Sequence, residues 1–225
     1  MAIDWLAVAG ARRRLEYAAK PAAMLALLAW LWVESGSKLT QGPLAWFALG
    51  LVCSLAGDVL LMLPERFFLP GLVAFLLAHL AYIAGLNASG IAWPAEALLA
   101  IPLALIGGWL FGRVRGALRA KGRSKLVGPV AVYATVISLM VVSALATLFR
   151  GEWAAGPAAL VSAGAGLFFI SDAVLAWNRF VAPMRNGKLV VIVAYHLGQM
   201  ALIWGAARMF APSFSAYAVL FSSLK

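Results

Sequence analysis

The sequence is short of the residues from which soluble proteins build their surfaces. Of 225 residues only 12% are charged; Asp and Glu together number 8, and there are 2 histidines. Hydrophobic residues make up 64%, and the mean hydropathy is +0.95. A soluble domain of this size has no use for so much apolar side chain, so the class is an all-α polytopic membrane protein. Cysteine is nearly absent. The single Cys53 allows no intrachain disulfide and no metal-type cysteine spacing, and it reads as a small helix-packing residue. No G-x-S-x-G occurs, which removes the nucleophile elbow. Linkers, low-complexity tracts and internal repeats are also missing, so residues 1–225 form one domain.

What is present is a series of long apolar runs. A helix needs about 20 apolar residues to span a bilayer. Seven runs qualify, at roughly 16–34, 43–63, 67–87, 93–112, 126–149, 157–177 and 188–208. The first lacks a small-residue cleavage site and reads as a retained helix, not a signal peptide. The opening "MAIDWLAVAGARRRL" is too short to span and is expected at the membrane surface. The tail "APSFSAYAVLFSSLK" leaves room for an eighth membrane segment. The prediction is therefore a single bundle of seven to eight transmembrane helices.

The net charge of +10 does not signal nucleic acid, because the basic residues lie between apolar runs. They segregate instead. A cytoplasmic N-terminus puts 14 of the 18 Lys and Arg on the cytoplasmic side. Only Lys38, Arg150, Arg208 and Lys225 remain opposite, as the positive-inside rule asks. The richest stretch, "RVRGALRAKGRSK" (113–125), reads as a cytoplasmic loop, with an anionic-lipid site as the alternative. The expected location is a bacterial-type inner membrane.

Ionisable groups within spans are costly and face the bundle interior. Here they are Lys20, Asp58, His79, Glu96 and Asp172, with His196 beside Tyr195. Glu96 lies at a span end and can reach water. The second run is centred near Cys53 and the sixth near Leu167. Asp58 and Asp172 each fall five residues past the centre, about 7–8 Å toward the cytoplasm. Lys20 and Tyr133 fall at a similar depth, Tyr195 and His196 slightly deeper, and His79 nearest the middle. Gly71, Phe75, His79 and Tyr82 share a stripe. Tyr195 and Gln199 share a face that His196 does not. Two readings stay open. Interhelical hydrogen bonding explains Gln199, Tyr133 and Ser171, and a structural role explains His79. The alternative is a functional layer in which Asp58 and Asp172 partner each other across a shared cavity, with Lys20, Tyr133, Tyr195 and Gln199 around it.

Six stretches, in order, carry a resemblance. They are "AKP" (19–21), "LAGDVLLML" (55–63), "GLVAFLLAHLAYI" (71–83), "GPVAVYATVISLMVVSA" (128–144), "LFFISDAVLAWNRF" (167–180) and "AYHLGQMALIWGA" (194–206). Together they resemble the lysoplasmalogenase, or YhhN-like, family. The resemblance implies an integral membrane hydrolase with eight transmembrane segments. It would cleave the vinyl ether of lysoplasmalogens to a fatty aldehyde and glycerophosphoethanolamine or glycerophosphocholine. It also implies that the catalytic aspartates are those of the "GD" and "SD" motifs, here Asp58 and Asp172. Lys20, His79, Tyr82, Tyr133, Tyr195 and Gln199 are the expected substrate-binding residues. A lysophospholipid and membrane lipids are the partners; no nucleic acid and no obligate protein partner is indicated.

The chemistry suits two carboxyls. Protonation of the alkene carbon gives an oxocarbenium ion, water adds, and the hemiacetal collapses, so one proton donor and one base suffice. A carboxyl in a poorly solvated place holds its proton more readily, and one beside a cation such as Lys20 does not. Which aspartate takes which role is open. No metal, nucleotide or other cofactor is needed. The rival from another class is a proton-coupled transporter using Asp58, His79 and Asp172 as a relay. An intramembrane aspartyl protease matches only loosely at "AGD". A retinal protein is disfavoured because the interior of the last span has no lysine for a Schiff base.

Overall fold

The computed structural model describes residues 1–90 and 95–211. Among them are eight α-helices and no strand. These are α1 (Ala2–Ala9), α2 (Arg13–Ser35), α3 (Gly42–Met62), α4 (Phe68–Leu86), α5 (Ala95–Ala120), α6 (Val127–Ala146), α7 (Ala155–Ala176) and α8 (Gly187–Phe210). Each predicted run is one helix. Six helical stretches are long and apolar enough to cross a membrane. The remaining long helix, α2, carries Lys20 and Glu34, which lower its hydropathy. The fold is thus that of an all-α polytopic membrane protein. The tail from 212 onward and the side chain of Glu96 lie outside the described residues, so the eighth segment and Glu96 are not placed.

Two sequence expectations need correction. The stretch 113–125 is not a loop throughout. Arg113, Arg115 and Arg119 extend α5 to Ala120, and the chain reverses in a short turn where Gly122 has φ +68°. Positive φ there suits glycine, which has no Cβ to clash. Nor does the N-terminal segment simply lie on a surface. Asp4 and Ala7 of α1 are fully buried, and the helix packs against α2 and α8.

Lipid tails are as apolar as leucine, so helices in a membrane associate through close packing and hydrogen bonds rather than hydrophobic burial. The α7–α8 pair meets this demand with glycine. A Cβ on Gly164 would lie 2.6 Å from Leu202 N and 2.8 Å from the Gly198 carbonyl, so the two backbones touch. On α3, Gly57 leaves the space that the Phe75 ring of α4 occupies; a Cβ there would lie 2.6 Å from the ring. The core around these pairs holds Met24, Leu31, Phe47, Tyr82, Phe168 and Leu202. By contrast α5 sits at the rim, packed mainly on α6 and on the end of α7, with Leu98, Leu105 and Trp109 exposed.

Candidate functional site

The polar side chains gather into separate clusters. In the first, Asp58 is completely buried. The Tyr195 hydroxyl donates to its Oδ2 at 2.6 Å, and Lys20 Nζ stands 2.9 Å from its Oδ1. The same ammonium lies 5.6 Å from the Tyr195 ring centroid. One helical turn away, Tyr82 donates to Gln199 Oε1 at 2.7 Å and Gln199 Nε2 donates to Ser54 at 2.8 Å. Ser54 and Asp58 are four apart on α3, as are Tyr195 and Gln199 on α8. The two pairs therefore form a ladder between those helices. Tyr82 and Gln199 are fully buried and satisfied within it.

The second cluster joins α4, α6 and α7. Tyr133 donates to Asp172 Oδ2. His79 Nε2 is 2.9 Å from the Tyr133 hydroxyl and 3.6 Å from the same Asp172 oxygen. His79 Nδ1 lies 3.3 Å from Met140 Sδ, and the ring is fully buried. A phenol both donates and accepts, and an imidazole nitrogen does either according to its proton. Asp172, Tyr133 and His79 thus form a chain along which a proton can move without any heavy atom moving.

A wall of aromatic rings runs from one cluster to the other. Phe75, Phe168 and Tyr195 meet edge to face, with centroids 6.1, 5.9 and 5.3 Å apart. Phe168 continues the wall to His79 at 4.8 Å. A cavity opens on the Asp172 side. It is lined by Asp172 and Tyr133 and otherwise almost wholly by apolar residues of α4 to α7, Phe75, Phe111 and Ile137 among them, with Arg179 at its edge. Asp58 does not line it. The cavity thus takes Asp172 and not Asp58, in place of the shared cavity expected from the sequence. Lys20, Tyr195, Tyr82 and Gln199 belong to the Asp58 cluster and do not line the cavity. His79 stands behind Tyr133.

A groove between α5 and α6 meets this cavity, sharing Gly107, Phe111 and Ala134 with it. Its walls carry Ala100, Ala104, Gly108 and Ala131. Small residues on both helices leave room for something the width of a hydrocarbon chain.

The YhhN family model matches residues 15–206 of this sequence. The chain belongs to the YhhN family. Its curated relatives include lysoplasmalogenase TMEM86B of Homo sapiens, 33% identical over 189 residues, covering 82% of this chain and 72% of that protein. Lysoplasmalogenase TMEM86B of Mus musculus is 31% identical over 186 residues, with the same coverage of 82% and 72%. A lysoplasmalogenase of Mycobacterium bovis is 32% identical over 155 residues, or 65% of this chain and 53% of that one. No solved structure matches.

The YhhN match covers both aspartates and also residues that sequence reasoning passed over. Arg179 follows Asp172 by seven positions, two helical turns, which was the available signal. Under α1, Trp5 donates to His196 Nδ1 at 3.0 Å, so the neutral ring carries its proton on Nε2, 3.7 Å from Asp4 Oδ2. Neither Asp4 oxygen finds a hydrogen-bond partner among the described residues. Burial, partly offset by nearby Lys20, raises the Asp4 carboxyl to about 6. An eight-residue helix offers no hydropathy signal, so its docking was not legible.

Proposed function

We propose that the protein is a membrane lysoplasmalogenase, with Asp172 as the group that meets the reacting atoms. The observation that carries this is the joining of an acid, a proton chain and an apolar cavity at one place: Asp172 and Tyr133 line the cavity, and His79 stands behind them. The names of the family relatives supply the substrate class.

The reaction runs as follows. Protonated Asp172 gives its proton to the alkene carbon remote from oxygen, and the ether carbon becomes an oxocarbenium ion. Water forms a bond to that carbon while the Asp172 carboxylate takes the water's proton. The hemiacetal then breaks its bond to the glycerol oxygen, which receives a proton through the same carboxyl. Aldehyde and alcohol leave, and Asp172 is ready again. Tyr133 and His79 hold or return the proton between steps. Asp58 is the second carboxylate, acting from behind the rings. It holds Lys20 and Tyr195, and Tyr195 sets Phe75 against the cavity; this makes it a positioning residue.

The deciding experiment is incubation of detergent-purified protein with a lysoplasmalogen and assay of free fatty aldehyde. Aldehyde release supports the hydrolase. Its absence, together with proton-coupled flux in sealed vesicles, supports the other use of an Asp–Tyr–His chain, a transporter. We also propose an inner-membrane protein with its N-terminus and the 121–126 turn in the cytoplasm. Labelling of a cysteine placed in that turn from outside the cell overturns this orientation.

A further inference from the structure

The cavity that holds Asp172 has an unequal pair of ends. On α5 its lining runs from Gly107 to Val114, on α6 from Val130 to Ile137, and on α7 from Phe169 through Asp172 to Arg179 just beyond. The last part of α5, the first part of α6 and the end of α7 all lie at the side of the bundle where the 121–126 turn runs. At that end the lining is Val114 and Val130, both buried, and the partly exposed Arg179. Asp172 lies two turns, about 10 Å, deeper along the axis. The α5–α6 groove leaves from the deeper part, at Gly107 and Ala134.

This end is cationic and poorly neutralised. Arg179 sits on a π-helical turn, Trp177–Val181, that ends α7, a wide turn of the kind often found at functional sites. Its guanidinium stacks 4.0 Å over Phe68. Its Nε is buried and has no hydrogen-bond partner among the described residues. The carboxylate it meets among the described residues, Glu65 at 3.4 Å, is exposed and already bonded at 2.9 Å to Arg123. Lys121 Nζ donates to the Phe180 carbonyl, which brings a further cation to the same turn. Arg123 and Arg179 thus share one solvent-exposed acid, with Lys121 close by on the Phe180 carbonyl. A buried donor without a partner is costly and marks a place where an acceptor belongs. The planar guanidinium fork matches two oxygens of a phosphate.

We infer that Arg179 is the headgroup-recognition residue: it binds the phosphodiester of a lysophospholipid whose ether end reaches Asp172 and whose hydrocarbon chain leaves through the α5–α6 groove. This rests on the hydrolase reading above and adds to it the polar end of the substrate. The order along the cavity is the order along the lipid: phosphate at the Arg179 end, a glycerol's length inward to the ether, then chain. Glu65 is displaced from Arg179 as the phosphate arrives. No bond is made or broken at this site.

The test compares two vinyl ether substrates, a lysoplasmalogen and the matching alkenylglycerol without phosphate, on wild type, Arg179→Gln and Arg179→Lys. Arg179→Gln is expected to lower the ratio of kcat/KM for the two substrates by about tenfold or more, the size of one lost charge-assisted hydrogen bond, through KM of the phospholipid. Arg179→Lys, which keeps the charge and loses the fork, is expected to recover part of the ratio. A merely structural arginine lowers both substrates alike; an unmoved ratio overturns the inference. Binding of a saturated-ether lysophospholipid, which no hydrolase of this kind cleaves, separates the two claims. If wild type releases no aldehyde yet binds this lipid tenfold better than Arg179→Gln does, the headgroup site stands and the hydrolase reading falls. If inorganic phosphate competes as well as the lipid does, the site serves free phosphate and the lipid assignment fails.

Discussion

Tyr133 donates its phenolic hydrogen to Asp172, and the same hydroxyl lies 2.9 Å from His79 Nε2. The phenol therefore couples a cavity-facing acid to a fully buried imidazole. A carboxyl that must give a proton to carbon and then accept one from water benefits from such a reservoir, because neither step waits on bulk solvent.

Asp172→Asn keeps the shape of the side chain and removes its proton. Aldehyde release is expected to fall about 10²–10⁴-fold, the contribution of one acid–base group. Binding of a saturated-ether lysophospholipid should persist. A well-folded Asp172→Asn protein with near-full turnover rules Asp172 out as the acid.

Tyr133→Phe leaves the ring against His79 and deletes the link in the proton chain. The expected loss is smaller than for Asp172→Asn, because the carboxyl itself remains. The discriminating measurement is the pH–rate profile, which should change shape as well as height. A profile that only scales down identifies Tyr133 as packing, not relay.

Asp58→Asn leaves the Lys20 ammonium, only 15% exposed, without its partner at 2.9 Å. Breaking one side of a buried pair costs about 3–5 kcal/mol. Adding Lys20→Met should restore much of the lost thermal stability, since the stranded charge is gone. Activity should stay reduced in the double variant, because Tyr195 has still exchanged a charged carboxylate acceptor for a neutral amide oxygen. Recovery of full turnover in the double variant shows that Asp58 serves stability alone.

Asp4 makes the docking of α1 depend on pH. Its carboxyl is raised from the ordinary 3.8 to about 6, first by burial, with Glu16 and Asp58 adding and Lys20 and the N-terminal amine opposing. His196 Nε2 faces it across 3.7 Å. An acid whose folded value is raised stabilises the docked state below its free value, and that stabilisation is lost as pH rises from about 4 through 6. Amide hydrogen exchange in residues 2–9, corrected for its intrinsic pH dependence, should show stronger protection at pH 5 than at pH 7. In Asp4→Asn the difference should vanish; a difference that survives the substitution assigns it to another group.

The sequence determined the seven long helices, with ends within a few residues except at α5, which continues past its apolar run to Ala120. Those properties belong to one helix at a time. A bilayer of given thickness asks for a given apolar length, and position along the axis follows from counting residues. The tertiary structure alone decided what lies beside what. Rotation about each helix axis and the choice of neighbours depend on where glycines let backbones touch, as at Gly164 and Gly198, and on where rings fill the remaining space, as Phe75 does against Gly57. That packing joined Phe75, Phe168 and Tyr195 edge to face and left Asp172, without Asp58, on the cavity. It also docked an eight-residue helix onto His196 and turned Arg179 to the edge of the cavity, because lateral fit between helices leaves no periodic trace in hydropathy.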